Sequence, residues 1–288
     1  MKPRAAVLLA IAIVAISTGA PFARWAAPAP PITIAALRVA MAAVLLLAAG
    51  WRELPALRAI PRRDRPFVVL SGLLLGIHFG SWIASLAFTS TAASVALVCT
   101  NPIFAALFGR VFLGDRVAGR EIVGITIAAG GCAVLAGGDW QAGGDALIGD
   151  GLALIGAASA AGYLVVGRRL REAVPLLPYL GVVNAIAAIG LLAAALVLGA
   201  DVTALPAHAY VASAGAAVVA SFVGHSLLNR AVRITPTHLV ALAILGEPIV
   251  SSLITWAVFG EQPPSHAVLG GAIVLAGIAL GFVRRTRR

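Results

Sequence analysis

Apolar residues dominate this chain in long blocks, and charge falls in the gaps between them. Ten apolar runs cover residues 5–23, 32–50, 67–88, 91–112, 120–138, 147–167, 176–199, 208–229, 236–259 and 265–283. A helix needs about 20 apolar residues to cross the hydrocarbon core of a bilayer. The pattern therefore predicts an all-α integral membrane protein with ten transmembrane helices. The links are short, and Thr89 to Thr91 barely separates spans 3 and 4, which predicts a tight antiparallel pair.

The distribution of charge predicts the orientation. Lys2, Arg4, a cluster from Arg52 to Arg65, then Arg110, Arg116, Arg120, Arg168, Arg169, Arg171, Arg230, Arg233 and the tail arginines all fall on one side. That side holds nineteen of the 21 basic residues. Arg24 alone falls on the other side, and Arg38 lies inside span 2. The second side carries Asp139, Asp145, Asp150, Asp201 and Glu261. Basic loops stay in the cytoplasm, so both termini are expected there. One missed span would invert every later loop and destroy the asymmetry.

Composition agrees. The chain has 288 residues, of which 61% are hydrophobic and 11% charged, with a mean hydropathy of +1.01. A soluble domain carries about 25% charged residues. The net charge of +10 comes from the short orienting clusters and does not indicate a nucleic-acid partner. The run from Ala5 to Ala20 behind Lys2 and Arg4 resembles a signal peptide, but nine further spans make it a retained first helix. The bacterial inner membrane is the expected location. Cys99 and Cys132 lie in apolar runs with no metal-ligand spacing, which favours two small buried hydrophobes and predicts no bound metal.

An internal repeat appears when residues 95–133 are laid on 241–279. Pro102 meets Pro248, Gly114 meets Gly260, Gly124 meets Gly270 and Gly131 meets Gly277; Asp115 meets Glu261. A five-span unit is odd in number, so its second copy starts from the opposite face. Two inverted halves are expected, 1–138 and 147–288. Inverted repeats suit transport, because the two copies can exchange conformations.

The run Gly246-Glu247-Pro248, then Phe259-Gly260-Glu261 and Gly270, resembles the signature of the EamA family within the drug/metabolite transporter superfamily. Asn101-Pro102, Leu113-Gly114-Asp115 and Gly124 echo it in the first half, with Asn101 in place of the family's frequent acid. Leu37-Arg38 also resembles the family. The resemblance implies a central cavity lined by spans 1–4 and 6–9 and braced by spans 5 and 10. It implies export of amino acids, drugs or other small metabolites, or exchange of metabolites such as nucleotide sugars.

Ionisable groups within a bilayer are costly and need a reason. Glu247 lies roughly 16 Å into span 9, where it is either a proton carrier or amine ligand, or a structural carboxyl beside the Pro248 break. Its counterpart Asn101 cannot titrate. Arg38 either attracts a carboxylate or phosphate with its planar fork, pairs with Glu247, or snorkels to the surface. His78 with Trp82, and His225 with Asn229, each share a helical face. Both pairs suit either a cavity wall or helix–helix hydrogen bonds. Ser17, Thr18, Ser159 and Tyr163 read first as packing residues. Pro21, Pro102 and Pro248 are candidate breaks or hinges. Gly124, Gly131 and Gly138, like Gly270 and Gly277, recur every seven residues and form smooth packing faces.

The rival classes lack their signatures. There is no H-E-x-x-H, G-x-S-x-G or paired carboxylates for an intramembrane enzyme, and no nucleotide-binding motif for ATP-driven transport. A channel needs a filter that a two-fold repeat does not readily build. The resulting expectation is a secondary transporter exporting small organic solutes such as amino acids by alternating access. It acts without a cofactor, in a lipid bilayer and with protons as a candidate coupling ion. Proton-coupled drug efflux and metabolite exchange are alternatives within the class. An intramembrane enzyme or a structural bundle are alternatives outside it. The oligomeric state stays open, because glycine faces serve both internal packing and dimers.

Overall fold

The computed structural model describes residues 3–85, 87–89, 94, 97–135, 144–170, 174–260, 262–263 and 265–282. The start of span 4, the end of span 5 with Gly138, and Lys2, Thr91, Asp139, Arg171, Glu261 and the tail arginines lie outside the described residues. Every regular element among those described is helical. Seven helices are long and apolar enough to cross a membrane.

In chain order the helices are α1 (Pro3–Ile16), α2 (Gly19–Trp25), α3 (Pro31–Ala49), α4 (Arg65–Ser85), α5 (Asn101–Leu113), α6 (Gly119–Leu135) and α7 (Gly144–Arg169). They continue with α8 (Leu176–Val197), α9 (Ala207–Gly215), α10 (Ser226–Val232), α11 (Thr237–Ile244), α12 (Glu247–Phe259) and α13 (Ser265–Phe282). A 3₁₀ stretch, Trp51–Ala59, joins α3 to α4, and a π-helical stretch, Ala216–His225, joins α9 to α10.

Three runs that the apolar pattern presents as continuous spans are interrupted. Span 1 breaks between α1 and α2 at Ser17 and Thr18. Pro21 has no N–H to give back to the preceding turn. At the break the hydroxyls of Ser17 and Thr18 also donate to the carbonyls of Ile13 and Ala15, at 2.6 and 2.7 Å, which accept from the backbone N–H groups of the same two residues. Span 9 breaks at Leu245 and Gly246, with Pro248 at the second position of α12. Span 8 relaxes into the π stretch, whose wider turn is frequent at functional positions. Apolarity reports depth in the bilayer and is blind to these local changes of pitch.

Helix pairing follows side-chain size. The largest contact is between α6 and α13, followed by α3 with α8 and α4 with α7. A Cβ on Gly131 would lie 2.6 Å from the backbone nitrogen of Val274, and one on Gly277 2.5 Å from that of Ala128. The glycine faces of spans 5 and 10 therefore meet each other, backbone to backbone. Elsewhere α1 packs on the π stretch and α10, and α11 on α5. Many large apolar side chains point outward, among them Val197, Leu147 and Val44. That surface suits lipid as the surrounding solvent.

Candidate functional site

The interruptions converge on a central cavity of about 70 Å³. Spans 1, 2, 3, 4, 6, 8 and 9 line it among the described residues. Span 7 does not, contrary to what the resemblance implies. It packs behind α3 and α4, and the Tyr179 and Ser71 hydroxyls lie 2.6 Å apart in that contact. The volume holds a few waters and is well below the roughly 300 Å³ of a typical ligand pocket.

Arg38, His78, Trp82, Asn101, His225 and Glu247 all reach the wall. Arg38 is 4% exposed, so it does not snorkel. Its Nε donates to Ser221 Oγ at 2.9 Å, and its guanidinium sits 4.5 Å from the Phe79 ring centroid. A Cβ on Gly19 would lie 3.1 Å from Arg38 Nη1, so the glycine at the start of α2 leaves room for the guanidinium. Arg38 and Glu247 interact electrostatically, yet no direct salt bridge joins them among the described residues. The cavity thus carries one cation and one anion that do not satisfy each other.

The aromatic wall is ordered by contacts on one helix face. His78 Nδ1 donates to the carbonyl of Gly156 at 3.0 Å, which fixes the proton on that nitrogen and leaves Nε2 as an acceptor in the neutral ring. The His78 and Trp82 rings are stacked, with centroids 6.1 Å apart and planes within 4°. Phe79 meets His225 edge-on at 5.6 Å.

Three wall atoms are buried without a hydrogen-bond partner: Trp82 Nε1, Asn101 Oδ1 and His225 Nδ1. Buried polar groups are nearly always paired, and an unpaired one costs about 1–3 kcal/mol. All three surround this one hollow. Two helix N-termini also end here, since Asn101 opens α5 and Glu247 opens α12. Half-helix ends of this kind bring backbone dipoles to the binding sites of transporters.

The other sequence candidates stand behind the wall. Asn229 donates through Nδ2 to the Tyr163 hydroxyl at 2.7 Å and to the His225 carbonyl at 2.8 Å. It positions a lining tyrosine and is not itself part of the lining. Pro21, Pro102 and Pro248 sit at or beside helix starts, where a missing N–H shapes the break, and none lines the cavity. Tyr163, first read as packing, does line it, as does Cys99.

Phe79 and Ser221 escaped the sequence reading. Phe79 looks like an ordinary lipid-facing or core aromatic. Ser221 precedes His225 by four residues on the same span, which was the available signal. Among the described residues, no three His, Cys, Asp or Glu side chains come together as a metal site would require.

A second hollow, of about 560 Å³, opens between Glu53, Leu176, Leu177, Ser226, Leu227 and Arg230. It lies at the end that the basic residues assign to the cytoplasm.

The model of the EamA-like transporter family matches the chain twice, over residues 3–137 and 147–283. No curated protein matches it at a significant level. The chain is similar to a solved crystal structure of a protein at 20% identity, covering 98% of this chain and 97% of that one, with a TM-score of 0.83. Likeness at that identity shows a shared fold. With both family matches together spanning most of its length, the chain belongs to the EamA-like transporter family.

Proposed function

We propose that this chain is a secondary transporter of the bacterial inner membrane that exports a small zwitterionic solute, such as an amino acid, by alternating access. It crosses the bilayer ten times with both termini in the cytoplasm, and its halves, 1–138 and 147–288, are inverted copies. The seven long helices are supplemented by the shorter α5, α6 and α13, which supports ten crossings. The pairing of helices supports the inversion. Exchanging the halves carries α6 with α13 and α3 with α8 onto themselves, and carries α4 with α7 onto α1 with span 8.

The observation that carries the solute class is the separation of charge in the cavity. Arg38 offers a guanidinium to a carboxylate, and Trp82 Nε1 offers a further N–H. Glu247 and Asn101 Oδ1 offer acceptors to an amine. Ile16, Leu164, Leu228 and Ile244 leave an apolar surface for a side chain. A solute carrying both charges satisfies every one of these groups at once.

Counterflow in proteoliposomes tests the reading. Vesicles loaded with amino acids are expected to accumulate labelled amino acid, whereas those loaded with cationic drugs or phosphorylated metabolites do not. Saturable exchange of only the drugs or phosphates would replace the zwitterion with that class. Proton coupling is a narrower proposal, carried by the exposure of the Glu247 carboxyl to the cavity. Under it, Glu247→Gln abolishes the pH dependence of transport, and an unchanged pH profile in that variant removes protons from the mechanism.

A further inference from the structure

Away from the central cavity, one salt bridge and one carboxylate–imidazole hydrogen bond close one end of the bundle, and each joins the first half to the second. Gly114, with φ of 69°, caps α5 in the left-handed region and turns the chain into Asp115. The Asp115 N–H donates to the Gly109 carbonyl at 3.0 Å, and its carboxylate accepts from Arg168 Nη1 in the last turn of α7. Gly109 makes the seat, since a Cβ there would lie 2.9 Å from Asp115 Oδ2.

Glu121 stands in the first turn of α6. Its Oε2 accepts from the Ala118 N–H at 2.7 Å and lies 3.2 Å from His238 Nε2 in the first turn of α11. The four side chains are only 2–16% exposed. Such pairs are little screened by salt, unlike ion pairs on a wet surface. Arg120 adds a longer contact to Glu121 at 3.9 Å. Arg120 Nε, His238 Nδ1 and Thr237 Oγ1 are buried there without partners. The cluster is therefore incompletely satisfied, as a contact that forms and breaks would be.

We infer that Asp115–Arg168 and Glu121–His238 form a polar clasp that must part before the cavity opens toward this end, and that the clasp biases the protein toward the state closed there. The inference rests on the alternating-access reading. Its second clause comes from the sequence register of the repeat. An inverted repeat exchanges the conformations of its halves between the two facing states. A contact present in both halves would stabilise both states equally. At the offset that aligns Pro102 with Pro248, Glu121 falls on Ala267 and His238 on Ala92. That pair has no ionisable counterpart, so it favours one state only, and only such differential contacts shift an equilibrium.

Sided labelling tests the clasp without any substrate. The cysteines are replaced (Cys99→Ala, Cys132→Ala) and Leu228→Cys supplies a reporter on the cavity wall. A membrane-impermeant thiol reagent is then added to either face of proteoliposomes of known orientation. The double variant Asp115→Asn, Glu121→Gln is expected to label about tenfold faster from the clasp end, the effect of losing roughly 1.4 kcal/mol of bias, with no gain from the other end. Glu121→Gln alone gives a smaller gain of the same sidedness. The charge-swapped pair Asp115→Arg, Arg168→Asp moves labelling back toward the parent rate. Unchanged labelling in folded protein, or an equal rise from both ends, overturns the clasp. Failure of the transport reading shows separately, as absent counterflow.

Discussion

The halves of this protein meet in two contrasting ways. Along α6 and α13 they meet backbone to backbone at Gly124, Gly131 and Gly277, with small and apolar side chains such as Ala128 and Val274 filling between. At the centre they meet across a hollow whose wall keeps an arginine, a glutamate and three unpaired polar atoms. The seam has nothing left to bind, and the cavity has more hydrogen-bonding capacity than its own residues use. Close packing and unsatisfied polarity therefore divide a molecule in which 61% of the residues are hydrophobic.

The contrast can be broken most severely at the seam. Gly131→Val places side-chain atoms where the backbone nitrogen of Val274 already lies 2.6 Å from a Cβ. Overpacking typically costs 1–3 kcal/mol, and the upper end of about 3 kcal/mol or more is expected against backbone that cannot yield. Loss of monodisperse protein in detergent is the readout, and wild-type thermal stability would show that the seam is not tight.

Arg38→Ala is expected to act chiefly on binding. Losing the guanidinium relieves its own desolvation but leaves Ser221 and Glu247 without it, so some stability is lost, while solute affinity falls by about 2 kcal/mol, near thirtyfold, with the loss of a charged hydrogen bond. Binding measured beside a melting curve separates the two; a fall in stability with affinity intact would make Arg38 a structural residue. The smallest expected effect is that of Trp82→Phe, which keeps the ring and deletes the unpaired N–H. Affinity drops by about 1 kcal/mol, roughly fivefold, and folding is unchanged. Equal affinity in that variant would mean the indole N–H meets no solute.

Much of this architecture was legible in the order of residues. Apart from the start of span 4, which lies outside the described residues, the apolar runs locate the helix ends to within a few residues, because lipid demands a full turn-by-turn apolar cover. The heptad spacing of Gly124 and Gly131 and of Gly270 and Gly277 announces smooth faces, although only the fold shows that they face each other. Arg38, His78, Trp82, Asn101, His225 and Glu247 stood out because polarity is rare in this medium, and all six line one cavity.

What stayed hidden depends on rotation and distance. The π stretch that presents Ser221 to Arg38 has no compositional mark, since its residues are those of an ordinary apolar helix. Phe79 becomes informative only through the guanidinium above it. Asn229 shares a face with His225 as expected, yet Tyr163 occupies its amide, which moves it back from the wall. His238 at the start of α11 went unnoticed because its partner Glu121 is 117 residues away.

One hydroxyl joins the two interrupted spans. Ser17 Oγ lies 2.6 Å from the Ile13 carbonyl and 3.3 Å from the carbonyl of Glu247. It has a single hydrogen to donate. The Ile13 carbonyl keeps the Ser17 backbone N–H at 3.0 Å whichever way the hydroxyl turns. The kink of the first span and the turn that begins α12 therefore share one hydroxyl proton, so a movement at residue 17 is felt at residue 247 without any change in charge.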